Sequence, residues 1–222
     1  MRGSDGRRET AAGIVVEERF EAESRGVLDM TKKYEWKAVP ENLREDCVDS
    51  RTIYEGRILN LRVDKIRLPD GRVTSREVVA HGKAVVILAE NERGEILMIN
   101  QFRYPAGEVM MELPAGIVGD GEDCIIAAAR ELREETGWKP GRIAKIGEFF
   151  TSPGYCDERL IMYYATDLTW DKLPEDDDEF IVPVFLSRDT ALNLAEEGRI
   201  RDAKSLYGIY WWLYRSLRRM ET

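Results

Sequence analysis

The order of segments along this 222-residue chain predicts an α+β fold. Three observations predict it. Short alternating or continuous apolar stretches, each bounded by turn residues, recur as hairpins from about Arg51 to Ser187. One central amphipathic helix, near residues 122–136, interrupts them, and two more amphipathic helices close the chain. Strands and helices do not alternate one for one, and no internal repeat is present. A doubly wound parallel fold is therefore excluded, and a mixed sheet layered with helices is expected.

Each segment has its own justification. Residues 1–50 are polar and charged, with EERFEAES and TKKYEWK among them. They form an N-terminal arm, expected to be partly ordered around a strand or short helix. Residues 51–82 read as an N-terminal antiparallel β-hairpin region: TIYEGRILNLRVDKIRL alternates apolar and polar residues as one strand, Pro69-Asp70-Gly71 is a turn, and RVTSREVVAH is the partner strand. The main domain is expected over 83–222. It opens with KAVVILAE, a buried-type strand, followed by the hairpin loop Asn91 to Gly94 and the returning strand EILMINQFRY. GEVMMELPAG is a further strand. The central helix starts at Gly121-Glu122-Asp123, with Ile125, Ile126, Ala129 and Leu132 as its apolar side. Gly137 is placed to end it, and Pro140 lies shortly beyond. RIAKIGEFFTS, a Pro153-Gly154 turn and ERLIMYYATDL give another strand pair. An acidic loop, Trp170 to Asp178, leads to the last strand, FIVPVFLS, and then to helices in DTALNLAEEGRI and AKSLYGIYWWLYRSLRRM.

Composition narrows the function. Apolar residues make up 43% and charged residues 34%, as in a soluble globular protein. The net charge is −9 without a dense Lys/Arg tract, which argues against a nucleic-acid footprint; a small phosphorylated ligand needs only a local basic pocket. No apolar run is long enough to cross a membrane, and MRGSDGRRETAAG lacks the apolar stretch of a signal peptide. Cys47, Cys124 and Cys156 are few and widely spaced, so the expected compartment is the reducing cytoplasm. His81 is the single histidine, which excludes His-rich zinc sites and argues against a histidine general base.

The chemistry concentrates in the central helix. Glu131, Glu134 and Glu135 stand at i, i+3 and i+4, so three like charges share one helical face. A helix that needed only solubility would intersperse lysines there. A divalent cation offsets the repulsion, and hard carboxylate oxygens select Mg²⁺ or Mn²⁺ over zinc.

The spacing around that cluster can be checked residue by residue. Gly116, five residues, Glu122, seven residues, Arg130-Glu131-Leu132, one residue, Glu134-Glu135, one residue, Gly137: this resembles the Nudix hydrolase signature at all seven fixed positions. Trp138 stands where the signature usually has an aliphatic residue. The resemblance implies the Nudix fold, a mixed sheet sandwiched between helices, over roughly residues 50–215. It implies hydrolysis of a diphosphate, with Glu131, Glu134, Glu135 and the backbone carbonyl of Ala115 holding Mg²⁺. Glu134 and Glu135 then belong to the catalytic centre. Glu122 stands behind the ligands, and Arg130 orients a glutamate.

Outside the signature, Gln101-Phe102-Arg103, Glu112-Leu113-Pro114-Ala115-Gly116 and Ser152-Pro153-Gly154 resemble the ADP-ribose pyrophosphatase subgroup. That resemblance implies a small-molecule nucleoside diphosphate sugar as substrate. Arg103 would contact the diphosphate, Glu112 the region near the ribose, and Arg76 the nucleotide. Tyr34 and Trp36 are candidates for stacking on a base. Glu179, before the last strand, would be the general base, with Glu175 as the alternative. A homodimer is also implied, with the arm and first hairpin of one subunit completing the other's site. Other substrates left open are GDP-mannose, UDP-glucose and dinucleoside polyphosphates; the net charge of −9 and the missing basic stripe argue against capped RNA. A non-catalytic sensor is disfavoured, because no signature carboxylate is lost.

Overall fold

The computed structural model describes residues 7–10, 13–17, 43–174 and 179–220. Tyr34, Trp36 and Glu175 lie outside them. The chain divides into two compact units, residues 1–20, 83–149 and 160–222 forming the first, and residues 21–82 and 150–159 the second. Two short strands open the first unit, β1 (Arg7–Glu9) and β2 (Val15–Glu17), paired antiparallel.

The second unit is built on a three-stranded antiparallel sheet of β3 (Asp46–Glu55), β4 (Asn60–Arg67) and β5 (Val73–Ala80), in that order. The long alternating stretch from Thr52 to Leu68 is therefore two strands, not the single strand its pattern predicts. The break is at Gly56, whose N–H donates to Leu59 O (3.0 Å) and Asn60 Oδ1 (3.2 Å) in a tight turn. A Cβ there would run into the Tyr54 ring and the Leu59 carbonyl, so the turn needs glycine. The strand before the turn starts at Asp46, five residues before the expected hairpin region. Residues 150–159 add a turn to this unit, joined to β5 by the parallel bridge Val79↔Cys156. Asp157 Oδ1 accepts from His81 N at 2.8 Å and closes that turn onto the end of β5.

In the first unit, β6 (Lys83–Ala89) is buried on both faces. Ala84, Val86 and Leu88 enter one apolar core; Val85, Ile87 and Ala89 enter a second. β7 (Ile96–Arg103) follows, then β8 (Glu108–Glu112), β9 (Ala115–Ile117) and helix α1 (Cys124–Thr136). After them come β10 (Trp138–Lys139), β11 (Arg142–Phe150), β12 (Arg159–Thr166), β13 (Thr169–Trp170), β14 (Ile181–Leu186), α2 (Arg188–Glu196) and α3 (Ala203–Met220). A six-stranded sheet runs β1-β2-β11-β12-β6-β9, and it is mixed because β2 pairs parallel to β11 while β6 and β9 pair antiparallel. A three-stranded antiparallel sheet runs β14-β7-β8, and β10 pairs with β13.

The first core packs β6 against α2 and α3 through Leu113, Met162, Ala191, Ile209 and Trp212. The second packs it against α1 through Ala127, Ala128, Leu132, Ile143 and Ile161. The mixed sheet thus lies between helices, the α+β layering expected. Burying each large side chain fully contributes about 1.5–3 kcal/mol, and β6 supplies four that are wholly inaccessible, Val85, Val86, Ile87 and Leu88. The expected β6–β7 hairpin is not a ladder. The two strands share only the bridge Glu90↔Ile96 and then diverge into different sheets. Their apolar runs explain this. A strand buried on both sides needs partners and cores of its own, and β7 finds them between β14 and β8.

Candidate active site

Helix α1 is held at both ends by local chemistry. The Asp123 side chain accepts from Ile125 N at 2.8 Å, and Gly137 ends the helix at φ 79°, its N–H donating to Arg133 O. Two rows at i, i+4, i+8 run along it. Ala127, Glu131 and Glu135 form the inner row. Ile126, Arg130 and Glu134 form the outer one. Ile126 is therefore 43% exposed, not part of the apolar side as its spacing suggests. Ala127, Ala128 and Ala129, all buried, let the helix approach the sheet closely.

That approach carries the inner glutamates to the start of β9. Glu135 is 5% exposed and accepts from Ala115 N at 3.1 Å. The Glu131 carboxylate lies against the α-carbon of Gly116, where any Cβ would overlap it. Burial pushes Glu131 up to about 7, with the charges of Glu134 and Glu179 adding and Arg130 opposing. Burial likewise pushes Glu135 well above the carboxylate range, reinforced by Glu131 and Glu179. Glu179 thus makes its charge felt at both. Its place follows from register: Ile181 pairs with Gln101, so two residues earlier the chain stands level with Arg103.

Arg130 organises the outer side. Its guanidinium donates to Glu122 (3.0 Å), Glu131 (2.8 Å) and Glu134 (2.7 Å). Glu122 also accepts from Gly119 N at 2.9 Å, tying the loop before the helix to Arg130. The Arg130 hydrogen bond holds the Glu122 carboxyl below its usual range.

Arg103 ends β7 and Glu112 ends β8. Arg103 forms a two-pronged pair with Glu112 through Nε (2.7 Å) and a terminal nitrogen (2.9 Å). Lys204 Nζ also donates to Glu112, and to Asp202 at 2.9 Å. Burial pushes Glu112 up, but the Arg103 hydrogen bonds and the Lys204 charge outweigh it and keep the carboxyl below its usual range. Arg103 and Glu135 also feel each other's charge. On the same face of β7 as Arg103, the buried Gln101 Oε1 has no hydrogen-bond partner among the described residues.

Sequence reasoning missed Lys204, Asp202 and Ser205. Asp202 with Ser205 three residues later is a helix-start pattern, and Asp202 does accept from Ser205 N at 3.0 Å. Lys204 gave no signal. Ala115, Arg103, Glu112, Glu131, Glu134, Glu135 and Glu179 all belong to the first unit. Arg76 belongs to the second, where it pairs with Glu45 at 2.6 Å. The Ser152-Pro153-Gly154 turn is also in the second unit.

The donors suit a hard divalent cation in kind: buried Glu135 and partly buried Glu131 repel each other, and Arg130 and Arg103 offset that repulsion only in part, beside a strand-end carbonyl. They are not preassembled. Among the described residues, no three acidic, His or Cys side chains stand as a ready ligand set, and Glu131 and Glu134 are turned to Arg130.

Residues 80–207 match the family described as NUDIX domain. The chain belongs to the Nudix family. Residues 43–79 match the family described as nucleoside diphosphate sugar hydrolase N-terminal domain. The chain is 37% identical over 172 residues to the ADP-ribose pyrophosphatase of Bacillus subtilis (strain 168), covering 77% of this chain and 93% of that protein. It is 36% identical over 169 residues to the methanol dehydrogenase activator of Bacillus methanolicus, covering 75% and 91%. The crystal structure of an ADP compounds hydrolase superposes with a TM-score of 0.70 at 18% identity, over 80% of this chain and 96% of that one, which shows the shared fold. The protein is a Nudix hydrolase, and Nudix enzymes generally use divalent metal cations. Among the described residues, no helix is long and apolar enough to cross a membrane.

Proposed function

We propose that this Nudix enzyme hydrolyses the diphosphate bond of ADP-ribose, or of a closely related nucleoside diphosphate sugar, giving AMP and ribose 5-phosphate from the former. One observation carries the reading: Glu135 is buried and Glu131 partly buried against Ala115 and Gly116, both within electrostatic reach of Glu179, and Glu135 within reach of Arg103 as well. The name of the Bacillus subtilis relative supports the substrate class.

Glu131, Glu134, Glu135 and the Ala115 carbonyl would hold Mg²⁺, with Mn²⁺ able to replace it. When bound, the cation neutralises charge on the diphosphate and makes an attacking water more acidic. Arg130 keeps Glu131 and Glu134 in reach of that position by its paired hydrogen bonds. Arg103 grips the diphosphate, and Glu112 orients Arg103 beside the ribose end of the substrate. Arg76 serves the nucleotide. Glu179 takes the proton as water adds to phosphorus and the bond to the bridging oxygen breaks. Glu175 is the alternative base.

The working form is a cytoplasmic homodimer. Free thiols at Cys47, Cys124 and Cys156 support a reducing compartment. Exposed apolar side chains support association: Val48, Ile53, Tyr54 and Val73 in the second unit, and Phe102, Val109, Phe180 and Val182 in the first.

The test is a panel of nucleoside diphosphate sugars with Mg²⁺, scored by monophosphate release, beside a Glu135→Gln protein. The reading expects ADP-ribose to lead and the variant to lose turnover by orders of magnitude. Inertness of the wild type toward the whole panel, or near-normal turnover of the variant, overturns it. A monomer with full activity at micromolar concentration overturns the dimer.

A further inference from the structure

Arg103 presents a difficulty for any anionic substrate. Its guanidinium is committed to Glu112 through two of its three nitrogens. A one-to-one pair of this kind carries no net charge. Alone it would offer a diphosphate little attraction, and the buried carboxylate would repel it.

The first turn of α3 answers the difficulty. Lys204 donates to the same Glu112 carboxylate, at the oxygen Oε2 that Arg103 also uses. Its side chain is 11% exposed and that of Glu112 3%, whereas that of Arg103 is 38%. The two inner charges therefore face each other away from water, and only the arginine reaches outward. The turn itself is braced. Asp202 Oδ2 accepts from Lys204 Nζ (2.9 Å), Ser205 N (3.0 Å) and Ser205 Oγ (2.5 Å). Ser205 Oγ in turn receives Leu113 N at 2.7 Å, locking the residue after Glu112 to the helix.

We propose that Lys204 is a positioning residue for substrate: with its own charge balanced by Asp202, it keeps the inner side of Glu112 paired, so that the outward-facing Arg103 meets a diphosphate with no unbalanced carboxylate charge behind it, and it anchors the Glu112-to-Ala115 segment. The inference rests on the reading of Arg103 as the diphosphate contact. The arrangement sets substrate affinity through an interaction the substrate never touches.

The test is steady-state kinetics of the full-length Lys204→Met and Lys204→Gln proteins on the best nucleoside diphosphate sugar, with a Lys204→Met/Asp202→Asn double variant. The single variants should raise KM about tenfold, with the larger part of the loss in KM and not in kcat. The double variant removes the unbalanced carboxylate charge and should recover much of that KM. A merely structural lysine would give the opposite: a second core lesion adds to the first. If Lys204→Met does not fold, Lys204→Gln, which keeps the stem and a hydrogen bond, carries the test. KM within twofold of wild type in a folded single variant overturns the proposal, as does a double variant no better than the single. A wild type inactive on every nucleoside diphosphate sugar overturns the functional reading instead, so the two failures are distinguishable.

Discussion

Replacing Glu131 by Gln should stabilise the metal-free protein at alkaline pH while destroying its activity. Glu131 is pushed from 4.5 to about 7 by burial and by neighbouring glutamates. Below pH 4.5 the group is neutral folded and unfolded, and it costs nothing. Between 4.5 and 7 the unfolded chain ionises while the fold resists, so stability falls as pH rises. Above 7 the full penalty applies, about 3 kcal/mol from the size of the shift. Glutamine escapes it. The variant gives up one contact with Arg130, which is a third exposed and keeps Glu122 and Glu134, at a cost of about 0.5–1 kcal/mol. The expected net gain is about 2 kcal/mol at about pH 8, vanishing or slightly reversed at about pH 5. Glu135 works in the same direction, because Glu131's charge is one cause of its own raised value. Urea unfolding in EDTA at the two pH values measures this. Millimolar Mg²⁺ should narrow or reverse the order at high pH, since a cation that binds only the folded wild type adds stability there. A variant less stable than wild type at high pH in EDTA would refute the picture of a glutamate pair that its arginine neighbours compensate only in part.

Three other outcomes follow from single contacts. Gly116→Ala forces the Glu131 carboxylate aside, the three atoms nearest the new Cβ all belonging to that side chain, so turnover should drop on the order of 100-fold while urea stability stays within about 1 kcal/mol of wild type. Gly137→Ala should behave oppositely, because a Cβ at φ 79° is strained and would strike the Trp170 ring; stability should fall by about 1–3 kcal/mol in the same assay. Glu179→Gln should lower kcat on the order of 100-fold or more with KM little changed and flatten the acid limb of the pH–rate profile; a retained acid limb would pass the base role to Glu175.

Legibility in the sequence tracked the range of the interaction. The helix of the signature could be read to within a residue or two, because Asp123 and Gly137 act on their own neighbours. Its apolar side was misread at Ile126 because two rows differ by only one residue, and only the sheet decides which row faces inward. The turn at Gly56 hid inside an alternating pattern, since a single glycine can break a strand without disturbing its alternation. The separation of β6 from β7 was illegible for a different reason: two adjacent apolar strands joined by Asn-Glu-Arg-Gly look like a hairpin whether or not they pair. Arg103 and Glu112 could be picked out, but their direct bond depends on register between β7 and β8. Lys204 was invisible because its partner lies 92 residues earlier.

The signature's glutamates are not equivalent, and the helix geometry says why. A row of three carboxylates facing water would be solvated and cheap, and it would bind a cation weakly. Turning Glu131 and Glu135 to the inner row makes them costly, as their raised pKa values record, while Glu134 stays outside with Arg130. The cost is tolerable only because Ala127 to Ala129 and Gly116 let helix and strand approach until Ala115 N can bond Glu135. Small residues thus do as much as acidic ones. They turn an exposed charge cluster into a desolvated one, where the same charges act at lower dielectric and bind a counter-ion more strongly.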